Sequence, residues 1–360
     1  MPADGRARRF YAQCERGGGA DEVQGYGATR GDGDRAGCSR GGVAADTPIT
    51  RPRFICGRRS NLRFPVDEIE EIAEGFQGRF GFYLEDLASG ATHARLEEER
   101  FPTASMCKIP VMVELYRQVA GGGLSLGERR RLVGEISRHG SGTLSLMWDH
   151  PELTLADYCR MMMAVSDNMA TDFLMSVVGL GNIDRTMDEL GFSNVRTPMT
   201  IGRFHYAMAG MEDLPCNPEN DSVLLAKLEE GERDFDSISY SDSIQNNVTS
   251  PTEMALLVKR IHLGEIVSAD ASAAMIALMK GCRDRRMMAR YVDPEIEVAQ
   301  KTGSSGRIKG NTGMVYLPSG PLLISAYGLA AADDVDGGEA IARISRLAVG
   351  AVSPESVAED

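Results

Sequence analysis

The sequence predicts an α+β fold: one antiparallel sheet built from both ends of the chain, with flanking helices and an all-helical lobe beside it. Three observations lead there. Period-two alternation marks Arg79 to Asp86 and Ala91 to Leu96 on one side, and Glu295 to Thr302, Gly313 to Leu317 and Pro321 to Ala330 on the other. Between them, from 106 to 290, apolar residues recur mainly at helical spacing. With 42% hydrophobic residues over 360 positions, the chain can also fill one large or two medium domains.

Residues 1–62 stand apart. They hold twelve glycines, eleven arginines and no lysine; with seven acids they carry +4, which leaves −17 on the remainder. Such a mixture buries too little surface to fold alone and reads as a disordered, solvated tail. It lacks the apolar core of a secretory signal. The folded part is expected over 63–355, with a sheet lobe at 63–104 and 291–355 and a helical lobe at 105–290.

Its first element is a helix carrying Val66, Ile69, Ile72, Ala73 and Phe76 on one face. The strand from Arg79 turns at Ser89-Gly90 and returns. Phe101 to Val119 (FPTASMCKIPVMVELYRQV) reads as a mostly buried helix with Ser105 in its first turn. Pro110 is tolerated there because the first N–H groups of a helix lack intrahelical partners. Leu153 to Ala164 and Ala170 to Val178 flank a polar break at Ser166-Asp167-Asn168, and Ile183 to Leu190 is a further amphipathic segment closed by Gly191. A long irregular stretch is expected from 197 to 250, with Pro198, Pro215 and Pro218. Thr249-Ser-Pro-Thr-Glu opens a helix to Leu263, and Ala269 to Lys280 is another. After the three strands, Ala340 to Val349 is the last helix.

Composition narrows the function. A net charge of −13 argues against a nucleic-acid surface. No apolar run approaches the ~20 residues that span a bilayer. Seven scattered cysteines without a Cys-x-x-Cys pair fit free thiols in a reducing compartment. Five histidines show no ligand spacing, so each reads as a surface or packing residue, and no metal or other cofactor is expected. The expected partner is a small molecule, and the oligomeric state is left open.

Chemistry points to Ser105 and Lys108. Three apart, they share one helix face, so the amine can reach the hydroxyl. A helix N-terminus beside the serine would help stabilise an oxyanion. An ordinary lysine is a poor base at neutral pH, and burial makes it a better one by lowering its pKa. Two more short motifs follow in order. Ser166-Asp167-Asn168 lies 61 residues on, in the break between helices, and Lys301-Thr302-Gly303 a further 135 on, at a strand edge.

Together the three motifs resemble those of class A β-lactamases and penicillin-binding proteins, over residues 66 to 352. The resemblance implies a β-lactamase-like fold and a serine hydrolase. It would form an acyl-enzyme on Ser105 and open the C–N bond of a β-lactam or related cyclic amide, the chemistry of antibiotic resistance. Lys108 would help remove the Ser105 proton, and Ser166 would relay a proton to the leaving group. Asn168 would hold Lys108 and the substrate's amide side chain. Lys301 would supply positive charge and Thr302 would bind a substrate carboxylate. The strand-edge backbone near Ser304, with the N–H of Ser105, would pair with the substrate and form the oxyanion hole. Asp167 would shape its loop and Cys107 would pack. Ser304, Ser305 and Gly306 could also simply make a turn. Arg307 and Lys309 would either help bind a carboxylate or sit on an exposed hairpin tip.

The chain also departs from the pattern. Class A enzymes carry a Glu in a loop after the second motif, where it positions the water that hydrolyses the acyl-enzyme. Here that site falls near Thr200-Ile201-Gly202 and holds no acid, although Glu212 or Glu219 could fold back. Without such a base, acylation survives while deacylation slows. Two other readings therefore stand beside the first: a D,D-peptidase-like or esterase-like serine hydrolase, and a non-catalytic binding protein on the same scaffold. The family is commonly exported. The chain as written, with no signal peptide seen, reads as cytoplasmic, or as periplasmic or secreted if its true start differs.

Overall fold

A computed structural model describes residues 64–358 apart from 135, 148 and 334; the tail expected at 1–62 lies outside them. The first elements are α1 (Val66–Gly75), β1 (Gly78–Asp86), β2 (Thr92–Arg95) and β3 (Phe101–Pro102). A 3₁₀ turn (Ala104–Cys107) runs straight into α2 (Lys108–Ala120), followed by β4 (Arg129–Arg131) and β5 (Glu152–Thr154). Five helices come next: α3 (Leu155–Ala164), α4 (Asn168–Val178), α5 (Leu180–Glu189), α6 (Ile201–Met208) and α7 (Pro218–Glu229). Then follow β6 (Val248–Thr249), α8 (Pro251–His262) and α9 (Ala269–Lys280). The last group is β7 (Val298–Ser305), β8 (Ile308–Leu317), β9 (Gly320–Ala330) and α10 (Gly337–Val352).

The sheet has the order β2-β1-β9-β8-β7 with every pair antiparallel, as the two sets of alternating segments predict. β1 pairs along its whole length with β9, from Gly78 opposite Ala330 to Asp86 opposite Leu322. Because successive side chains on a strand face opposite ways, both faces of the sheet are used. Val298, Val315, Leu322 and Ile324 pack with Ile69 of α1 and Ile341 and Ile344 of α10. Their neighbours Ala299, Met314, Leu323 and Tyr327 join the larger core, which holds Val113, Leu174, Val258 and Met275 of the helical part.

Three expectations need correction. The stretch 197–250 is not irregular throughout, since it holds α6 and α7. Thr200 caps α6 by accepting Arg203 N–H, and Asn217 caps α7 by accepting Asn220 N–H. Pro218 is thus the first residue of a helix, where its missing N–H costs nothing. Ser105 lies in a 3₁₀ turn rather than in the α-helix, which starts at Lys108. β7 also continues past Thr302 through the residues that resembled a turn. Among the described residues, no helix is long and apolar enough to cross a membrane.

One close approach positions the site. β7 is an edge strand, and Gly303 stands opposite Gly310 of β8. A Cβ at Gly303 would lie 2.5 Å from Thr103 O and 2.9 Å from Met106 Cγ, so only a glycine lets the 3₁₀ turn dock here. Gly303→Ala is therefore expected to lower stability by about 1–3 kcal/mol through overpacking, read as a shift in denaturant midpoint. An unchanged midpoint would mean that the turn does not rest on β7.

Candidate active site

The 3₁₀ turn and α2 bury Lys108 completely while leaving Ser105 partly open. A buried amine must find acceptors, and this one has four neighbours. Lys108 Nζ lies 3.0 Å from Ser105 Oγ and 2.9 Å from Ser166 Oγ. It lies 2.8 Å from both Ser166 O and Asn168 Oδ1. The last two can only accept, so they take two N–H groups of the amine. In its neutral form the lysine then has a lone pair left for a hydroxyl proton.

Lys301 of β7, also fully buried, approaches from the other side and donates to Ser166 Oγ at 3.1 Å and to Thr302 O at 2.6 Å. Ser166 Oγ thus sits between two amines. Burial, and then the charge of Lys301, lower the Lys108 pKa to about 7. Burial also lowers that of Lys301. At neutral pH a substantial share of Lys108 is the free base.

The break between α3 and α4 is held in an uncommon backbone state. Ser166 has φ +57°, and Ala104, just before Ser105, has φ +43°. For residues with a Cβ such conformations cost of order 1–3 kcal/mol each and persist only where surroundings enforce them. For Ser166 the enforcement is visible: its carbonyl accepts from Lys108 and, at 2.7 Å, from the Ser141 hydroxyl. Asp167 does the rest. Its buried carboxylate accepts from Thr143 N at 2.6 Å, Leu144 N at 2.8 Å and Ala170 N at 2.9 Å, capping α4 and pinning the 141–144 loop.

The remaining sequence-predicted residues are placed as follows. Thr302 Oγ1 donates to Asp284 Oδ2 at 3.2 Å, and Ser304 Oγ accepts from Lys309 Nζ at 2.8 Å. Ser105, Ser166, Lys301, Thr302 and Ser304 line one cavity of ≈ 540 Å³. Arg307 lies outside it, paired with Asp333 at 3.1 Å and placed over the Phe235 ring. Cys107 is packed in the core, and burial pushes its thiol up to about 12. Cys107, Cys159 and Cys282 carry thiols, not disulfides.

A serine hydroxyl beside a buried amine, a second serine shared by two lysines, and an edge strand alongside bring residues of all three motifs together. Residues 65–352 match the β-lactamase enzyme family. The chain belongs to that family. It is 23% identical to β-lactamase SME-1 of Serratia marcescens over 293 residues, covering 79% of this chain and 88% of that protein. A solved β-lactamase from Sphaerobacter thermophilus is 26% identical with a TM-score of 0.64, covering 80% of this chain and 98% of that one. The solved PBP-A shares the fold at 22% identity and a TM-score of 0.63, covering 79% and 95%.

Near the start of α6, where Thr200-Ile201-Gly202 holds no acid, the structure places histidines. A recess of ≈ 200 Å³ beside Ser105 is lined by Asn168, Ile201, Phe204, His139 and His205, and no carboxylate of the described residues lines it. The two imidazoles meet edge-on at 5.0 Å. Burial lowers the pKa of both, His205 to about 3 with help from His139 and Lys108, so both are neutral. Buried Asp172 fixes the start of α6 by accepting Ile201 N–H at 2.7 Å and Gly202 N–H at 2.8 Å. Glu212 and Glu219 do not fold back and are exposed. Ser141, Asp284 and the histidines are the site residues that sequence reading missed. Their only signals are neighbours in space.

Asp167→Ala would strand two loop N–H groups and uncap α4. It is expected to cost about 2–4 kcal/mol, with Ser166 and Asn168 losing their fixed positions. Equilibrium unfolding checks this, and a loss under 1 kcal/mol would refute the pinning role.

Proposed function

We propose that the protein is a serine acyl-transfer hydrolase that opens a β-lactam or related cyclic amide through an acyl-enzyme on Ser105. The observation that supports this best is the Lys108 amine, 3.0 Å from Ser105 Oγ, with its proton affinity lowered to about 7. In this reading Ser105 Oγ attacks the carbonyl carbon while its proton passes to Lys108. The oxyanion forms against the N–H of Ser105 and the backbone of β7 near Ser304. As the C–N bond breaks, the ring nitrogen takes a proton through Ser166 Oγ, which both lysines approach. Asn168 holds Lys108 and the substrate's amide side chain, and Lys301 supplies positive charge beside Ser166. Water then hydrolyses the Ser105 ester.

For that last step no carboxylate of the described residues lines the recess beside Ser105. Acylation is therefore expected to outrun deacylation. The same observation favours a second reading, a D,D-peptidase-like or esterase-like hydrolase. Turnover of small esters with no turnover of any β-lactam would select it.

Intact mass after mixing with a penicillin is the direct test. A lasting adduct on the native chain and none on Ser105→Ala is expected. Ring-opened penicillin accumulating on an unmodified protein would mean that deacylation is fast after all. Activity surviving Ser105→Ala would overturn the proposal.

The acylation rate should also depend on pH in one direction. Lys108 accepts the proton only when neutral, so the rate rises with pH through about 7 and levels off above it. Replacing the base, as Lys108→Met, should cost about 10²–10⁴-fold and abolish that limb. A flat profile from pH 5 to 9 in the native chain would remove Lys108 from this role.

A further inference from the structure

The loop after α9 brings a carboxylate into the cavity of Ser105. Arg283, Asp284, Arg285 and Arg286 line the cavity together with Lys301 and Thr302. The loop is tied to the sheet, because Gln300 Nε2 of β7 donates to Asp284 O at 2.9 Å. From that anchor, Asp284 Oδ2 takes the Thr302 hydroxyl at 3.2 Å. Arg286 clamps the carboxylate with Nε on Oδ1 at 2.9 Å and Nη2 on Oδ2 at 3.1 Å. Burial alone would raise the acid's pKa, yet Arg286 and the Thr302 hydroxyl hold it below the usual carboxylate range. Asp284 is therefore an anion at neutral pH.

Among the described residues, every other charge lining the cavity is positive. A carboxylate carried in by a ligand would be drawn towards Lys301 and the Thr302 hydroxyl beside it. A threonine hydroxyl has one proton to donate, and here it already points at a carboxylate of the chain itself. A second carboxylate would lose that hydrogen bond and meet a like charge, an arrangement that discriminates strongly between ligands.

We propose that Asp284 is a specificity-determining residue that holds the Thr302 hydroxyl where a ligand carboxylate would otherwise bind. The site then favours acyl compounds that are neutral or cationic at this position over those with a free carboxylate. This rests on the acyl-enzyme reading above. The simpler alternative is that Asp284 only shapes its own turn, since it also accepts Arg286 N–H at 3.1 Å.

Benzylpenicillin and its methyl ester share one ring system and differ in this charge. Their second-order rates of Ser105 acylation, read by intact mass, would be compared on the native chain and on Asp284→Asn. The amide keeps the size and an acceptor for Thr302 but loses the charge. The preference for the ester over the acid is expected to fall by about tenfold or more in Asp284→Asn, mainly through faster reaction of the acid. Thermal midpoints and fluorophosphonate labelling of Ser105 check that the variant is folded, and Asp284→Ser provides a second variant without the charge.

If both compounds change by the same factor in both variants, Asp284 is only a turn residue and this inference falls while the acyl-enzyme reading stands. If neither compound forms an adduct on any of the chains, the acyl-enzyme reading falls and this inference with it.

Discussion

A lysine amine with no access to solvent is the constraint on which the site depends. Lys108 cannot be left without acceptors, and the 3₁₀ turn leading into its helix supplies only the Ser105 hydroxyl. The others come from the break between α3 and α4, which must turn the Ser166 carbonyl and the Asn168 amide towards it. That demand explains why Ser166 has a positive φ, and why Asp167 and Ser141 hold the break so firmly. Packing and chemistry share these contacts. The burial that requires the hydrogen bonds also weakens the amine's hold on its proton.

Much of this was legible in the sequence because it is written in short-range patterns. Alternation disclosed the sheet, and the resemblance of three short motifs singled out Ser105, Lys108, Ser166, Asn168 and Lys301, which the fold gathers. What stayed hidden depends on context. Pro218 and Thr200 read as loop residues, although each opens a helix, because α6 is only eight residues long and α7 buries little but Asp221 and Leu224. The turn-like Gly303-Ser-Ser-Gly306 continues as strand to Ser305 because β8 pairs with it. Asp284, His139 and His205 reach the cavity and recess only through tertiary folding, and no local spacing marks them.

Charge is distributed against the overall balance of the chain. Acids outnumber bases by seventeen beyond residue 62, yet Lys108, Lys301 and three arginines gather around the serine. Two of these cations are buried, so ions in solution screen them less than they screen the surface. Among the described residues Asp284 is the single carboxylate lining this cavity, and it offsets the cations at one hydroxyl. On the other side of Ser105 the neutral histidines add no charge. The serine therefore lies between an ionic wall and an uncharged one.

The pairing of β1 with β9 has a consequence for synthesis. β1 leaves the ribosome early, but the strand that covers its whole length is made about 240 residues later, a delay of about 12–50 s at ordinary elongation rates. Through that interval β1 can pair only with the four residues of β2, on one of its two edges. The strand that carries Lys301 is also late, so Ser166 meets its second amine only near the end of translation. The order of synthesis thus leaves an unpaired strand edge exposed for most of translation, the kind of edge that chaperones guard.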